Sequence, residues 1–164
     1  MITKLLFIAF LSLLFIVPMV LYKSQRKVMA NFCLRMTAQA SARKLYRLVI
    51  LIMLLTFHFL YLSVQTKEIG TLVSTLAFAI FFGFMDVDKW LHRIHEKRKT
   101  FRNMVMTILI LTLFPHTFSM QVTLAIIFMA AQFYPSTEIL TLWNNEDDRK
   151  LLIADREYLI KRYY

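Results

Sequence analysis

Residues that end helices and form turns are scarce in this sequence. There are 2 glycines and 3 prolines among 164 residues, which excludes flexible linkers and low-complexity segments. The only cysteine is Cys33, so disulfides within the chain and metal sites that need two cysteine thiolates are excluded as well. We expect Cys33 to be a small buried or interfacial thiol.

Charge is absent from long stretches of the chain. Hydrophobic residues make up 59% of the sequence, compared with roughly 45–50% in soluble domains, and they occur in uninterrupted runs. Uncharged runs of about 18 residues or more are typical of membrane helices. The predicted fold class is therefore all-α: a polytopic membrane helical bundle of four to five transmembrane helices, joined by basic amphipathic connectors.

Five apolar segments can be delimited. The predicted spans are residues 5–22, 48–64, 71–85, 103–114 and 118–134. The last two come from one uncharged tract, Met104–Tyr134, which as a straight helix would measure roughly 47 Å, against a hydrocarbon core of about 30 Å. Pro115, in the sequence "FPHTF", predicts a turn at Phe114–Thr117 and hence a hairpin of two short spans. The alternative is one proline-kinked helix that crosses the bilayer once.

Two units follow from this division of the chain. Residues 1–143 form the transmembrane bundle, and residues 144–164 form a C-terminal tail that we predict to be one amphipathic helix. Asn144 or Asn145 is the expected N-cap of the tail. Its first turn is acidic and its last turn is basic, an order that suits the helix dipole. We expect the tail to dock on the basic connectors.

Basic residues border the apolar spans, and the formal net charge is +10. One lysine precedes the first span, whereas the connector Lys23–Arg47 contains many lysines and arginines and no acidic residue. We expect that connector to break at "TAQAS". By the positive-inside rule, this connector and the basic connector Asp86–Arg102 lie in the cytoplasm and the N-terminus lies in the periplasm. The C-terminus is cytoplasmic if the long tract is a hairpin and periplasmic if it is one kinked helix.

The positive charge also indicates which partners to expect. A nucleic-acid-binding protein clusters its basic residues on a folded soluble face. Here they flank apolar runs, which favours contact with anionic lipid headgroups. The expected partners are the lipid bilayer and another membrane protein, with a homo-oligomer as a further interpretation. Direct nucleic-acid binding is not expected.

Two groups of residues inside the spans are candidates for function. Small residues at helix-packing spacing let helix backbones approach closely, and here they are Gly70, Ser74, Ala79 and Gly83. Intramembrane polar residues are functional candidates by default, and here they are His58, His116, Gln121 and Gln132. We expect His58 to be neutral and hydrogen-bonded to a neighbouring helix, because no Asp or Glu lies inside any span to form a proton relay.

The stretch "HRIHE" contains the strongest hint of metal chemistry. His92 and His95 stand three residues apart, beside Glu96 and one turn after Asp88. The spacing does not match a zinc hydrolase, in which two histidines flank a glutamate. We therefore predict no metal site, and interpret the stretch as the solvated polar face of an amphipathic helix. No nucleophile elbow, phosphate-binding loop or paired-carboxylate motif is present, which predicts a protein that is not an enzyme and has no cofactor.

Several spans with basic inner connectors, in a chain of this length, resemble the small inner-membrane exclusion and immunity proteins of phages and plasmids. The overall character is most similar to the phage superinfection exclusion A type. The resemblance implies a non-enzymatic protein of the host cell inner membrane that blocks entry of incoming phage DNA by contacting an injection channel or a host component. It also implies an injected phage protein as an expected partner. Immunity to a pore-forming toxin and conjugative entry exclusion are alternatives, as is a small transporter, channel or envelope-complex assembly subunit.

Overall fold

The computed structural model describes residues 2–64, 69–111, 113–114 and 117–164. Within these ranges the regular structure is helical, which confirms the all-α fold class. The helices are α1 (Ile2–Leu21), α2 (Lys27–Ala38), α3 (Ala40–Val64), α4 (Ile69–Phe84), α5 (Val87–Glu96), α6 (Arg98–Leu111), α7 (Phe118–Gln132), α8 (Thr137–Asn144), α9 (Glu146–Ala154) and α10 (Arg156–Tyr163).

Two of the described helical segments are long and apolar enough to cross a membrane. They are Ala40–Val64, which is α3, and Phe118–Asn144, which combines α7 with α8. A third is added if α4 and α5 count as one broken span, although the chain bends by 107° between them. The structure therefore provides two to three candidate membrane spans. The finer topology of four or five crossings is a proposal.

Helix α7 is the centre of the packing. It contacts α3, α4, α5 and α6. Its buried residues are Ser119, Val122, Thr123, Ile126, Ile127, Ala130 and Ala131. Since four of these seven are serine, threonine or alanine, neighbouring helices can approach α7 closely and form hydrogen bonds with it.

The long uncharged tract folds as two helices that pack against each other. Helix α6 ends at Leu111 and α7 begins at Phe118, and the two helices contact each other. The far end of α7 returns to α5, the helix just before α6, because His95 on α5 lies 3.2 Å from the carbonyl oxygen of Ala131. Helices α6 and α7 therefore pack as a helical hairpin. Pro115, on which the predicted turn depended, lies outside the described residues.

Side chains from the beginning of α7 satisfy the free carbonyls at the end of α6. Thr117 Oγ1 lies 2.7 Å from the carbonyl oxygen of Leu111 and 2.9 Å from that of Phe114. Gln121 Nε2 donates to the same Leu111 oxygen at 2.9 Å and lies 3.1 Å from Thr117 Oγ1. Such donors stabilise the end of α6, because the last carbonyls of a helix have no partner within the helix. Gln121, predicted as an intramembrane polar residue, thus holds the hairpin together.

The basic connector breaks where the sequence predicts. Gln39, in the middle of "TAQAS", is extended with φ −120° and ψ 118°, and it separates α2 from α3. Arg43 Nη1 donates to the carbonyl oxygens of Met36 at 2.8 Å and Thr37 at 3.1 Å. An arginine from the beginning of α3 therefore caps the end of α2 and sets the angle between the two helices.

The C-terminal tail differs from the single helix expected. It breaks at Asp155, whose carboxylate accepts hydrogen bonds from the amides of Glu157 at 2.8 Å and Tyr158 at 3.2 Å. This aspartate caps α10, just as Asn145 caps α9, and the latter cap was predicted. The break lets α10 pack against α2, through an apolar face that includes the fully buried Tyr163. The tail docks on the connector through apolar burial, and its acidic first turn stays largely exposed.

This packing makes a prediction about the two sides of the membrane. Because α10 rests on α2, the substitutions Lys27→Cys and Glu157→Cys, at two exposed positions, should react with a membrane-impermeant maleimide from the same side. The parent chain is a silent background, since Cys33 is 0% exposed and burial raises its pKa to about 12. Labelling of the two cysteines from opposite faces of sealed vesicles would contradict the hairpin.

Candidate functional site

Helix α4 has two different faces, and the predicted small residues are divided between them. Ser74 is fully buried on the face that packs against α7, whereas Ala79 and Gly83 are exposed. The reason is helical geometry: Ala79 follows Ser74 by five residues, which at about 100° each places it roughly 140° around α4 from Ser74. Gly70 lies in the first turn of α4, and its surroundings are outside the described part of the chain.

The buried face of α4 carries hydroxyl groups that bind α7. Ser74 Oγ lies 3.2 Å from Ser119 Oγ on α7 and 3.0 Å from the carbonyl oxygen of Thr71. Thr71, Ser74 and Ser119 are each at most 1% exposed. Contacts of this kind between small hydroxyl residues are typical of helix pairs within membranes.

His58 joins three helices at the centre of this interface. Its Nδ1 lies 2.8 Å from Thr75 Oγ1 on α4, and its Nε2 lies 3.0 Å from Thr123 Oγ1 on α7. The side chain is 4% exposed, and its ring also packs against Phe78 with a centroid distance of 4.9 Å. The structure therefore places His58, as expected, in hydrogen bonds to neighbouring helices.

The hydrogen bonds around His58 can be counted. Thr75 Oγ1 lies 2.7 Å from the Thr71 carbonyl oxygen, and Thr123 Oγ1 lies 2.7 Å from that of Ser119. A neutral imidazole supplies one N–H and the two threonines supply one O–H each, which makes three protons for four contacts. One threonine must therefore turn its proton from the backbone to the imidazole. The cost is low, since each of those carbonyls belongs to a helix and can accept an amide proton there.

A second polar junction lies where α5 meets the end of α7. His92 Nδ1 donates to the Pro135 carbonyl oxygen at 2.7 Å, and His95 Nδ1 donates to that of Ala131 at 3.2 Å. Glu96 accepts a hydrogen bond from the backbone amide of Thr137, at the beginning of α8. One face of α5 thus caps both the end of α7 and the beginning of α8.

The same face of α5 also holds an ion pair with α3. Arg47 Nη1 lies 3.0 Å from Asp88 Oδ2, and the hydroxyl of Tyr134 donates to the other oxygen of Asp88. Tyr134 is fully buried and stacks edge-on against His92 with a centroid distance of 4.9 Å. Arg47, Asp88 and Tyr134 therefore fasten α3, α5 and α7 together at one end of the bundle.

These contacts correct the interpretation of "HRIHE" as a solvated polar face. His92 and His95 are half-buried, and both are engaged with backbone carbonyls. Across the described ranges, no group of three or more His, Cys, Asp and Glu side chains is placed to hold a metal ion. The stretch acts as a structural clasp, which residue spacing alone does not reveal because both acceptors belong to a distant backbone.

The remaining predicted polar residues have different settings. Gln121 caps α6, as described above. Gln132 Nε2 is buried and has no hydrogen-bond partner among the described residues. His116 lies outside the described residues, so its predicted intramembrane role stays a prediction.

Replacement of His58 should destabilise the bundle. His58→Ala leaves Thr75 and Thr123 without their shared partner and opens a cavity, for an expected loss of about 2–4 kcal/mol in the free energy of unfolding. The matched control is Thr56→Ala, because Thr56 is exposed on the same helix and bonds only to its own helix, at the Ile52 carbonyl oxygen. Its expected effect is within about 0.5 kcal/mol. Equal losses in a detergent unfolding titration would show that the three-helix contact contributes nothing.

Acid should weaken the clasp of α5 through His95. Burial lowers the pKa of His95 below its usual 6.5, an effect opposed by the carbonyls of Ala131 and Tyr163 and by Glu96. Since the unfolded chain then binds more protons than the folded one, stability falls as the pH decreases below about 6.5. His95→Gln keeps an N–H donor and removes the titration. The variant should therefore lose less stability than the parent between pH 7.5 and pH 5.5, and an identical loss would exclude His95 as the cause.

Similarity to known proteins does not add to this picture. Comparison of the chain with protein-family models, with curated proteins and with solved structures gave no match.

Proposed function

We propose that the protein is a non-enzymatic exclusion protein of the bacterial inner membrane, which blocks entry of incoming phage DNA by contacting an injection channel or a host component of that channel. The observation that carries the proposal is the outer face of α4. This face is apolar and open, and it contains two small residues one helical turn apart.

The surface of α4 at Gly83 is free of neighbouring atoms. A Cβ atom built there meets nothing within 4 Å among the described residues. Beside it, Phe84 is 89% exposed and Ile80 is 50% exposed. Lipid alone can cover an apolar face, but residues as small as Ala79 and Gly83, one turn apart, also let the backbone of a partner helix approach closely. This feature favours a protein partner.

The opposite face of α4 supports the same conclusion. Ser74 and Thr75 tie it to α7 and α3 through buried hydrogen bonds. The outer face is therefore presented by a helix whose rotation is held by polar contacts. A partner that docks on a fixed surface loses less conformational entropy than one that docks on a mobile helix.

The proposed topology has five crossings, with the N-terminus in the periplasm and the C-terminus in the cytoplasm. Its support is that the two basic connectors and the tail lie at one end, where α10 packs on α2 and α5 caps α7. Helix α6 has 14 residues, or roughly 21 Å, so its crossing requires local thinning of the bilayer or adjustment of the flanking residues. Because topogenic signals account for the basic residues, direct nucleic-acid binding is not part of the proposal.

Two other functions share the mechanism of contact. Immunity to a pore-forming toxin and conjugative entry exclusion would use the same open face of α4 against a different partner. Transport or channel activity is a different class, favoured only by the intramembrane His58. Its imidazole is bonded on both nitrogens to threonines, so a transported proton would first have to break those contacts.

The test is a phage challenge of cells that express the chain. Adsorption should be normal, and DNA entry should be blocked for a subset of phages. Gly83→Leu places a large side chain beside Ala79 on the open face of α4. It should therefore reduce protection about tenfold or more, which corresponds to about 1.4 kcal/mol of lost contact. The control is Thr56→Leu, which enlarges an exposed residue on α3.

Each outcome of the challenge decides between functions. Loss of protection in Gly83→Leu but not in Thr56→Leu, at equal membrane levels, supports contact through α4. Unchanged infection by every phage would overturn phage exclusion and direct the work to toxin immunity, conjugation or assembly. Proton flux into vesicles that depends on His58 would favour the transport class instead.

A further inference from the structure

Two cavities meet at the end of the bundle that carries the basic connectors. The first, of about 400 Å³, lies between α1, α3 and α7. Its walls are almost entirely apolar and include Leu13, Val17, Val49, Met53, Met129 and Phe133. Lining from three separate helices makes it a groove of the bundle rather than a dent in one helix, and its volume is within the range of small-molecule sites.

The second cavity, of about 490 Å³, lies at the joint between α2 and α3. Arg35, Gln39 and Ser41 give it a polar side. It shares Tyr46 and Val49 with the first cavity, so the two lie next to each other along α3. The apolar groove therefore adjoins a polar and positively charged mouth.

Tyr46 lines both cavities, and its side chain is held in place by its neighbours. Its hydroxyl donates to the Ala130 carbonyl oxygen at 2.9 Å, and its ring packs edge-on against Phe32 with a centroid distance of 5.8 Å. Because the hydroxyl is already engaged with α7, the ring presents apolar surface to an occupant of either cavity. The donors available to a ligand are those of the mouth.

Charge at the mouth is positive and uncompensated. Arg35 is exposed, and no carboxylate pairs with it in the part of the chain that the structure describes. Two nearby cations are committed elsewhere, since Arg43 binds the carbonyls at the end of α2 and Arg47 pairs with Asp88. Arg35 is therefore the cation that an anion at the mouth would meet.

We propose that this double cavity holds one anionic phospholipid, with an acyl chain in the groove between α1, α3 and α7 and the headgroup phosphate at Arg35. The order of polarity matches such a lipid, with the apolar part toward the middle of the spans and the cationic part at the basic connectors. Arginine and lysine at a membrane surface attract anionic lipids by about 1 kcal/mol each, which is about fivefold in affinity. The inference needs only a membrane location and is independent of the exclusion function.

Native mass spectrometry of the full chain in detergent tests the proposal. With phosphatidylglycerol and phosphatidylcholine added at equal concentration, the chain should retain one phosphatidylglycerol molecule with about fivefold preference. Arg35→Gln should abolish that preference. Lys27→Gln, which removes an exposed positive charge from the same helix but outside the lining of both cavities, should leave it unchanged.

The acyl chain is tested separately. Met53→Trp fills the apolar groove and should release both lipids, while the helical circular dichroism of the variant reports whether it still folds. If Met53→Trp does not fold, Val49→Phe replaces it in the test, because it adds bulk at a residue that lines both cavities. Equal retention of both lipids by the parent, or equal effects of Arg35→Gln and Lys27→Gln, would overturn the headgroup site. Retention of lipid by a folded groove-filling variant would overturn the acyl-chain site.

Discussion

Backbone carbonyls at broken helix ends need hydrogen-bond donors, and the arrangement of this bundle depends on that requirement. A buried polar group without a partner costs about 1–3 kcal/mol. The chain meets the requirement with side chains from the next element. Gln121 and Thr117 cap α6, Arg43 caps α2, and His92 and His95 cap the end of α7. Each cap also fixes the angle between two helices, so one kind of contact both satisfies the backbone and determines the tertiary arrangement.

Hydrogen bonding by short side chains also explains the two faces of α4. Its inner face uses short hydroxyl side chains that bond to α7 and to His58, and its outer face is apolar with small residues. Short polar side chains let the helices lie close together, and the bonds they make prevent rotation of α4. The outer face is therefore a fixed surface, which is what an interaction through contact requires.

The basic end of the molecule combines several roles. Arginines there cap a helix, pair with Asp88 and line a cavity. An anionic lipid at Arg35 would join this end to the inner leaflet. It would also cover the joint between α2 and α3, on which α10 and the capping arginine converge.

The sequence by itself determined the all-α class, the apolar segments, the break at "TAQAS" and the cap at Asn145, because these depend on local periodicity, charge and helix-end chemistry. The tertiary structure alone decided the partners of His58, His92 and His95, since these hydrogen-bond partners lie 17 to 65 residues away in sequence. It also decided that Ser74 is buried while Ala79 and Gly83 are exposed, and that the tail breaks at Asp155. The physical reason is the same in each case: a residue type limits which contacts a side chain can make, but only the packing of distant helices brings one of those partners within reach.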